Sequence, residues 1–351
     1  MLILNADAYA HLVRPVLFSL PAETAQKVAE KALRRPFVWK ALRPGFQVRD
    51  RRLETSMCGV PLSNPIGLAA GFDKDCEMIP SLASLGFGYL TVGTVTAHPR
   101  PGNPKPRLFR NARESSLINA MGFPSKGLVP AARRLEVYRS SRGRVPVVVS
   151  ISGVTTDEIV RCHRRLEALA DVMEVNISSP NTAGLRLFHE PDALGEMLGA
   201  VSEVRHRPLV VKLPPYPAPD TPTDEFAESR DSLMALVRVC KAQGVDGFTV
   251  ANTRPAADAR LAVGSGGLSG RPVYSGMLEM VRDVRSEVGD EMTINACGGV
   301  FTGGDALAAM LAGATTVQTY TGFVYRGPTA AREINKELLA AMSREAAGAA
   351  A

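Results

Sequence analysis

Val172-Met-Glu-Val-Asn-Ile177 runs directly into Ser178-Ser-Pro-Asn-Thr182. The first part is short, β-branched and apolar, as a strand buried on both faces should be. Pro180 cannot continue a central strand, so the strand stops there. Asn176, Ser178, Ser179, Asn181 and Thr182 gather at its end. A polar turn explains one Asn-Thr pair but not a packed set of amides and hydroxyls. Two carboxamides flanking a hydroxyl suit a flat, imide-like ring held against a proton acceptor.

The same kind of run recurs on both sides of this stretch. Strands are predicted near 65–70, 89–95, 145–152, 171–178, 208–214, 247–252, 292–298 and 315–321. Helix-period stretches fall between them at 77–85, 126–139, 155–170, 191–205, 224–243, 274–287 and 303–312, with a last one at 328–344. Eight strand–helix units with continuously apolar strands predict a closed parallel (β/α)8 barrel of the α/β class. The alternative, an open doubly wound sheet, lacks its Gly-x-Gly-x-x-Gly turn after the first strand. Glu54–Asn64, with turn residues Cys58-Gly59, reads as a hairpin plugging the barrel's N-terminal end.

The 351 residues, 45% of them hydrophobic, suffice for one such barrel plus an appendage. No signal peptide and no membrane-spanning run is expected. Five cysteines without a C-x-x-C pair, and five scattered histidines, predict a reducing setting and no metal centre. Net charge is +6, and all of it lies in residues 1–52, which hold ten Lys/Arg against four acids. That excess predicts an anionic partner, and no aromatic-plus-basic stripe supports nucleic acid, which leaves a membrane surface.

Residues 1–45 read as a separate helical unit and 46–351 as the barrel. Tyr9, Leu12, Val13, Val16, Leu17 and Leu20 repeat at helical spacing, as do Ala25, Val28, Ala29, Ala32 and Leu33, with Pro21 and Pro36 as punctuation. Two short amphipathic helices with basic polar faces follow. Their apolar stripes either dock on the barrel or present a groove to lipid.

Function in such barrels sits at the C-terminal strand ends. After strand one, the small residues Ala69, Ala70 and Gly71 let the backbone approach a flat ligand, and Lys74 adds a cation. Strand two ends at Thr94, and a Pro-dense loop, Pro99–Arg110, leads to Asn119-Ala-Met-Gly-Phe123. Strand three ends near Ser150. Strand five carries Lys212 within an apolar run, where an unpaired ammonium needs an anionic or electron-rich partner. Strand six ends at Ala251-Asn252-Thr253-Arg254. Asn119, Asn176, Asn181 and Asn252 make a four-amide set suited to a pyrimidinedione's alternating donors and acceptors. Gly266–Gly270, Cys297–Val300 and Tyr320–Phe323 form a glycine-rich phosphate cup.

These motifs resemble, over essentially the whole chain, the dihydroorotate dehydrogenases, and specifically their membrane-associated, quinone-linked class 2. The resemblance implies oxidation of (S)-dihydroorotate to orotate in pyrimidine biosynthesis. One non-covalent FMN per chain would accept the hydride, and a quinone would be the final acceptor. It assigns Ser179 as the base, where soluble class 1 enzymes usually carry cysteine, with Thr182 and a water walled in by Phe123 as the proton relay. It implies cofactor contacts from Ala70, Gly71, Phe72, Asp73, Lys74, Thr94, Ser150, Asn176, Lys212, Ala251, Gly270, Gly299, Tyr320 and Thr321. Substrate contacts fall to Lys74, Asn119, Ala120, Met121, Gly122, Phe123, Asn176, Asn181, Asn252 and Thr253, and a quinone tunnel to Arg110 and Tyr320. Ala120, Ser150 and Ala251 depart from the family's usual Arg, Asn and Thr, and Arg254 and Leu213-Pro-Pro-Tyr216 are also unusual for class 2. Those departures motivate the alternative of a related FMN barrel with another pyrimidine-like substrate or a soluble acceptor. A non-catalytic flavin-holding barrel is the third reading. The chain is expected as a monomer, peripheral to the cytoplasmic side of the cell membrane.

Overall fold

The computed structural model describes residues 5–142, 144–178 and 185–349. Fourteen strands follow in chain order among these residues. They are β1 (Thr55–Met57), β2 (Val60–Leu62), β3 (Ile66–Leu68), β4 (Tyr89–Val95), β5 (Leu108–Asn111), β6 (Ser116–Asn119) and β7 (Val147–Ile151). Then come β8 (Val172–Asn176), β9 (Leu209–Lys212), β10 (Gly247–Val250), β11 (Arg254–Ala257), β12 (Ser265–Gly270), β13 (Thr293–Cys297) and β14 (Thr316–Thr319). Eight of them, β3, β4, β7, β8, β9, β10, β13 and β14, close a parallel barrel in sequence order. These are the eight apolar runs read from the sequence. Their side chains are almost all buried, because helices cover the outside and side chains fill the inside.

β1 and β2 pair antiparallel around Cys58 and Gly59, both at positive φ. Met57 and Leu62 of this hairpin cluster with Tyr89, Val148, Val172 and Val210, which stand at the starts of their strands. The hairpin therefore seals the N-terminal end of the barrel with apolar side chains.

A second sheet departs from the sequence reading. β5, β6, β11 and β12 form a four-stranded antiparallel sheet in the order β11-β12-β6-β5. Part of the expected Pro-dense loop and the whole first segment of the expected glycine cup are thus strands. Glycine makes the pairing possible: a Cβ on Gly266 would lie 2.5 Å from the Asn119 carbonyl oxygen.

The N-terminal segment forms three helical pieces rather than two. A helix with one π turn covers Ala6–Ser19 in sections, and Ala22–Leu33 and Pro36–Leu42 follow. Trp39 on the third piece is buried, and its indole N–H donates to the Ala32 carbonyl at 3.0 Å. Leu33, Trp39 and Phe46 belong to the same hydrophobic cluster as the barrel and its outer helices, so the parts expected at 1–45 and 46–351 share one core. Among the described residues no helix is long and apolar enough to cross a membrane. No group of His, Cys, Asp or Glu among them is placed to hold a metal ion.

Candidate active site

A cleft of about 1200 Å3, counted out to its open mouth, lies at the C-terminal ends of the barrel strands. Thr94, Asn176, Lys212, Ala251 and Cys297 reach it from the strand ends, and Ala69, Ala70, Gly71 and Lys74 from the loop after β3. Leu108, Leu117, Asn119 and Ser269 face it from the four-stranded sheet, which roofs one side. Met121, Gly122 and Phe123 close another side; Phe123 holds a φ of 53°, a strained value for an aromatic residue and a common mark of functional loops.

A hydrogen-bonded chain runs through the strand ends. The Asn252 amide donates to Ser178 Oγ at 3.0 Å, and Ser178 Oγ–H donates to Asn176 Oδ1 at 2.9 Å. The Asn176 amide donates to Thr94 Oγ1 at 3.4 Å, and Thr94 shares a hydrogen bond of 3.0 Å with Ser150. Asn252 Oδ1 also accepts the Thr253 N–H at 2.7 Å. Both ends of the Asn252 and Asn176 amides are thus held by the protein, which fixes their orientation at the cavity. Asn119 is fixed from the roof, donating to the Gly267 carbonyl at 3.3 Å. Lys212 is 5% exposed and lines the cavity, and among the described residues no hydrogen bond reaches its ammonium.

Gly270, Gly298, Gly299, Tyr320, Thr321 and Gly322 converge at one end of the cleft. Gly299 sits at φ 72°, and a Cβ there would meet the Tyr274 Cβ at 2.6 Å, so only glycine fits. Ser269 and Thr321 join hydroxyls across this end at 2.9 Å.

Four contacts expected in the cleft, and Arg110, expected in a tunnel leading to it, lie outside the cleft's lining. Asp73 points away from the cleft and accepts the N–H groups of Glu77 and Met78 at 2.7 and 2.8 Å. Burial drives its carboxyl up to about 6, against the pull of those two N–H donors. Phe72 packs edge-on against Tyr320 and Phe323. Ala120 is fully buried in a small cluster with Ile118 and Leu261. Ser150 is fully buried behind Thr94 and acts on the cavity only through it. Arg110 stacks on Phe18 at 4.5 Å and donates to the carbonyls of Leu17, at 2.9 Å, and Leu20. Burial lowers the pKa of its guanidinium. Ser179, Asn181 and Thr182 lie outside the described residues.

The sequence reading gathered Ser178 with the polar residues at the strand's end but missed its role as the bridge between the Asn252 and Asn176 amides. It also missed Gln26, which projects into the cleft from the helix Ala22–Leu33, and the roof residues Leu108 and Leu117. An apolar cluster of Leu117, Phe301 and Tyr325, with Phe18, Tyr320 and Val324 against it, connects the N-terminal helix to the cavity wall.

Known proteins resemble this chain in sequence and in fold. A family model described as dihydroorotate dehydrogenase matches residues 52–342. The chain is 38% identical to a dihydroorotate dehydrogenase (quinone) of Chloroflexus aurantiacus, with 94% of this chain and 96% of that one covered. It is 39% identical to another of that description from Leifsonia xyli subsp. xyli, with 96% and 100% covered. A crystal structure of ligand-free DHODH from Eimeria tenella matches with a TM-score of 0.76 at 32% identity, over 88% of this chain and 94% of that one. With the family model matching residues 52–342 and relatives of that description covered along nearly their full length, the chain belongs to the dihydroorotate dehydrogenase family.

Proposed function

We infer that this protein oxidises (S)-dihydroorotate to orotate and passes the electrons to a quinone, a step of pyrimidine biosynthesis. The observation that carries this reading is the chain Asn252–Ser178–Asn176–Thr94 beside the buried Lys212. Such a wall presents fixed amide donors and acceptors to a flat dione, with a cation next to it. The residues also fit FMN: the glycine end has the backbone freedom and close approach that a phosphate requires, and Lys212 suits an electron-rich ring. FMN, when bound, supplies the acceptor for the hydride leaving substrate C6.

The chain's own residues do the rest. Asn119, Asn176 and Asn252 orient the substrate ring, with Asn181 as a fourth contact, and Lys74 meets its carboxylate. Ser179 takes the C5 proton. A serine hydroxyl is a poor base in water, so the proton must leave by relay, and Thr182 together with a water walled in by Phe123 serves that role. Two electrons and two protons leave the substrate, and a quinone takes up both to become the quinol. The apolar cluster from Phe18 to Tyr320 supports a quinone path between the N-terminal helices and the cavity. The same reading has the protein working as a monomer at the cytoplasmic face of the membrane, attached peripherally through those helices. The family match and the relatives described as quinone-linked favour this reading over another pyrimidine-like substrate.

The visible spectrum of the purified protein, before and after anaerobic addition of dihydroorotate, tests it. A flavin spectrum that bleaches is expected. Ser179→Ala should keep flavin and orotate binding and slow bleaching by about 10²–10⁴-fold, the usual contribution of a general base. A flavin that dithionite reduces and dihydroorotate leaves untouched would overturn the substrate assignment.

A further inference from the structure

The eight barrel strands carry two charged side chains, Glu174 on β8 and Lys212 on β9. They are opposite in sign, 0% and 5% exposed. Asn176 stands directly beside Lys212 in the sheet register, and Glu174 lies two residues earlier on the same face as Asn176, one layer deeper in the barrel. Thr249, which flanks Lys212 from the other side on β10, donates its hydroxyl to Glu174 Oε2 at 2.7 Å. Glu174 therefore reaches inward past β9. Its other oxygen, Oε1, is buried without a hydrogen-bond partner among the described residues. Burial raises the pKa of the Cys297 thiol; Lys212 lowers it and Glu174 raises it, so both charges act on one point of the interior.

A buried carboxylate or ammonium is costly unless compensated, and no other charged side chain on the barrel strands can compensate either one. We propose that Glu174 is the counter-ion of Lys212, one layer beneath the cavity floor, and that it sets the net charge this floor presents to the cofactor. The first half rests on the barrel alone, and the second rests on the reading of Lys212 as a flavin contact. With both charges present the floor is nearly neutral, so the reduced, anionic cofactor gains less from Lys212 than an isolated ammonium would give.

A double-mutant cycle tests the pair. Glu174→Gln keeps an acceptor for Thr249 and removes the charge, and Lys212→Met removes the ammonium at similar length. Thermal unfolding of the full chain is read as purified and again with excess FMN. Each single variant should melt about 5 °C lower, and the double variant should recover most of the loss, because removing one partner of a buried pair costs far more than removing both. Additive losses, or a Glu174→Gln variant as stable as wild type, would mean a neutral Glu174 and overturn the pair. If Glu174→Gln does not fold, a folded double variant supports the pair and an unfolded one overturns it. The midpoint potential of the bound flavin reads the second half: it should rise in Glu174→Gln and fall in Lys212→Met. An unmoved potential in Glu174→Gln overturns the charge-setting role even where the stability cycle shows coupling. The melting cycle reads without flavin, so failure of the flavin assignment is seen separately.

Discussion

Asp73 stands next to Lys74 in a segment whose neighbours line the cleft, yet its carboxylate serves the loop and not the ligand. It caps the backbone N–H groups of Glu77 and Met78 just before the short helix Ile79–Leu82. Burial outweighs those two bonds and lifts its carboxyl from 3.8 to about 6. A folded-state pKa above the unfolded one stabilises the fold below the unfolded value, and that stability is lost as pH rises through the folded value. The window is therefore about pH 4 to 6, and a pKa raised by about two corresponds to about 3 kcal/mol. Asp73→Asn has no such titration. The melting temperature of wild type minus that of Asp73→Asn should fall as pH rises across this window, and a flat difference would show Asp73 ionised throughout. The family resemblance placed Asp73 in the site and gave Ser178 no role there, yet Asp73 turns to the loop and Ser178 bridges two of the site's amides. Regular backbone ends at Leu68 and Asn176, and side-chain direction in the following turns is set by local hydrogen bonds that periodicity does not encode.

At the level of elements, the eight barrel strands were legible because burial on both faces demands unbroken apolar runs. The roof sheet was not. Ser265–Gly270 contains three glycines, and Arg254–Ala257 contains proline and two alanines, so neither has strand-like composition. Close approach of neighbouring backbones makes them strands, and that is a tertiary fact. The N-terminal helices illustrate the same limit: their periodicity was visible, but the way they are fastened was not. Arg110 on β5 donates to the carbonyls of Leu17 and Leu20 and stacks on Phe18, so it satisfies carbonyls that the end of the helix Arg14–Ser19 leaves open. Tyr9 and Arg14 add hydrogen bonds to the carbonyls of Val324 and Tyr325. Arg110→Met removes the donors and keeps the stem. Amide exchange over residues 14–20 should speed up by about tenfold, the equivalent of one such bond, while dihydroorotate still bleaches the flavin at the wild-type rate. Unchanged exchange would mean that Arg110 does not hold this helix end.

On the scale of the whole molecule, charge and exposed apolar surface coincide. Among the described residues, half of the exposed large hydrophobic side chains fall between Leu12 and Phe37, with Leu12 58%, Val16 65% and Phe37 71% exposed. The net charge of +6 lies in the same N-terminal part. The two features separate in part along the chain, since residues 1–20 hold Leu12, Val13 and Val16 but one Arg, while residues 21–52 hold Val28, Phe37 and the other nine Lys/Arg. They also differ in how they are tied down. Leu33 and Trp39 belong to the main core, so a cut at 45 would open it, whereas a cut after Leu20 removes the first helix with its Phe18 contact and its hydrogen bonds through Tyr9, Arg14 and Arg110, and leaves the main core whole. Deletion of residues 1–20 is therefore the informative truncation. Each Lys or Arg near an anionic surface contributes about 1 kcal/mol and is screened by salt, while inserted apolar side chains hold regardless of salt. The intact protein should pellet with anionic vesicles and keep part of that binding in high salt. The truncated protein should bind the same vesicles in low salt and keep a smaller share of that binding in high salt. It should retain flavin and still be bleached by dihydroorotate, because no residue of 1–20 lines the cleft among the described residues. Its reoxidation by a long-tailed quinone should slow several-fold, while a small soluble acceptor reoxidises it as before. Long-tailed quinone turnover unchanged by the deletion would remove the first helix from the electron path and point to an acceptor that reaches the flavin from solution.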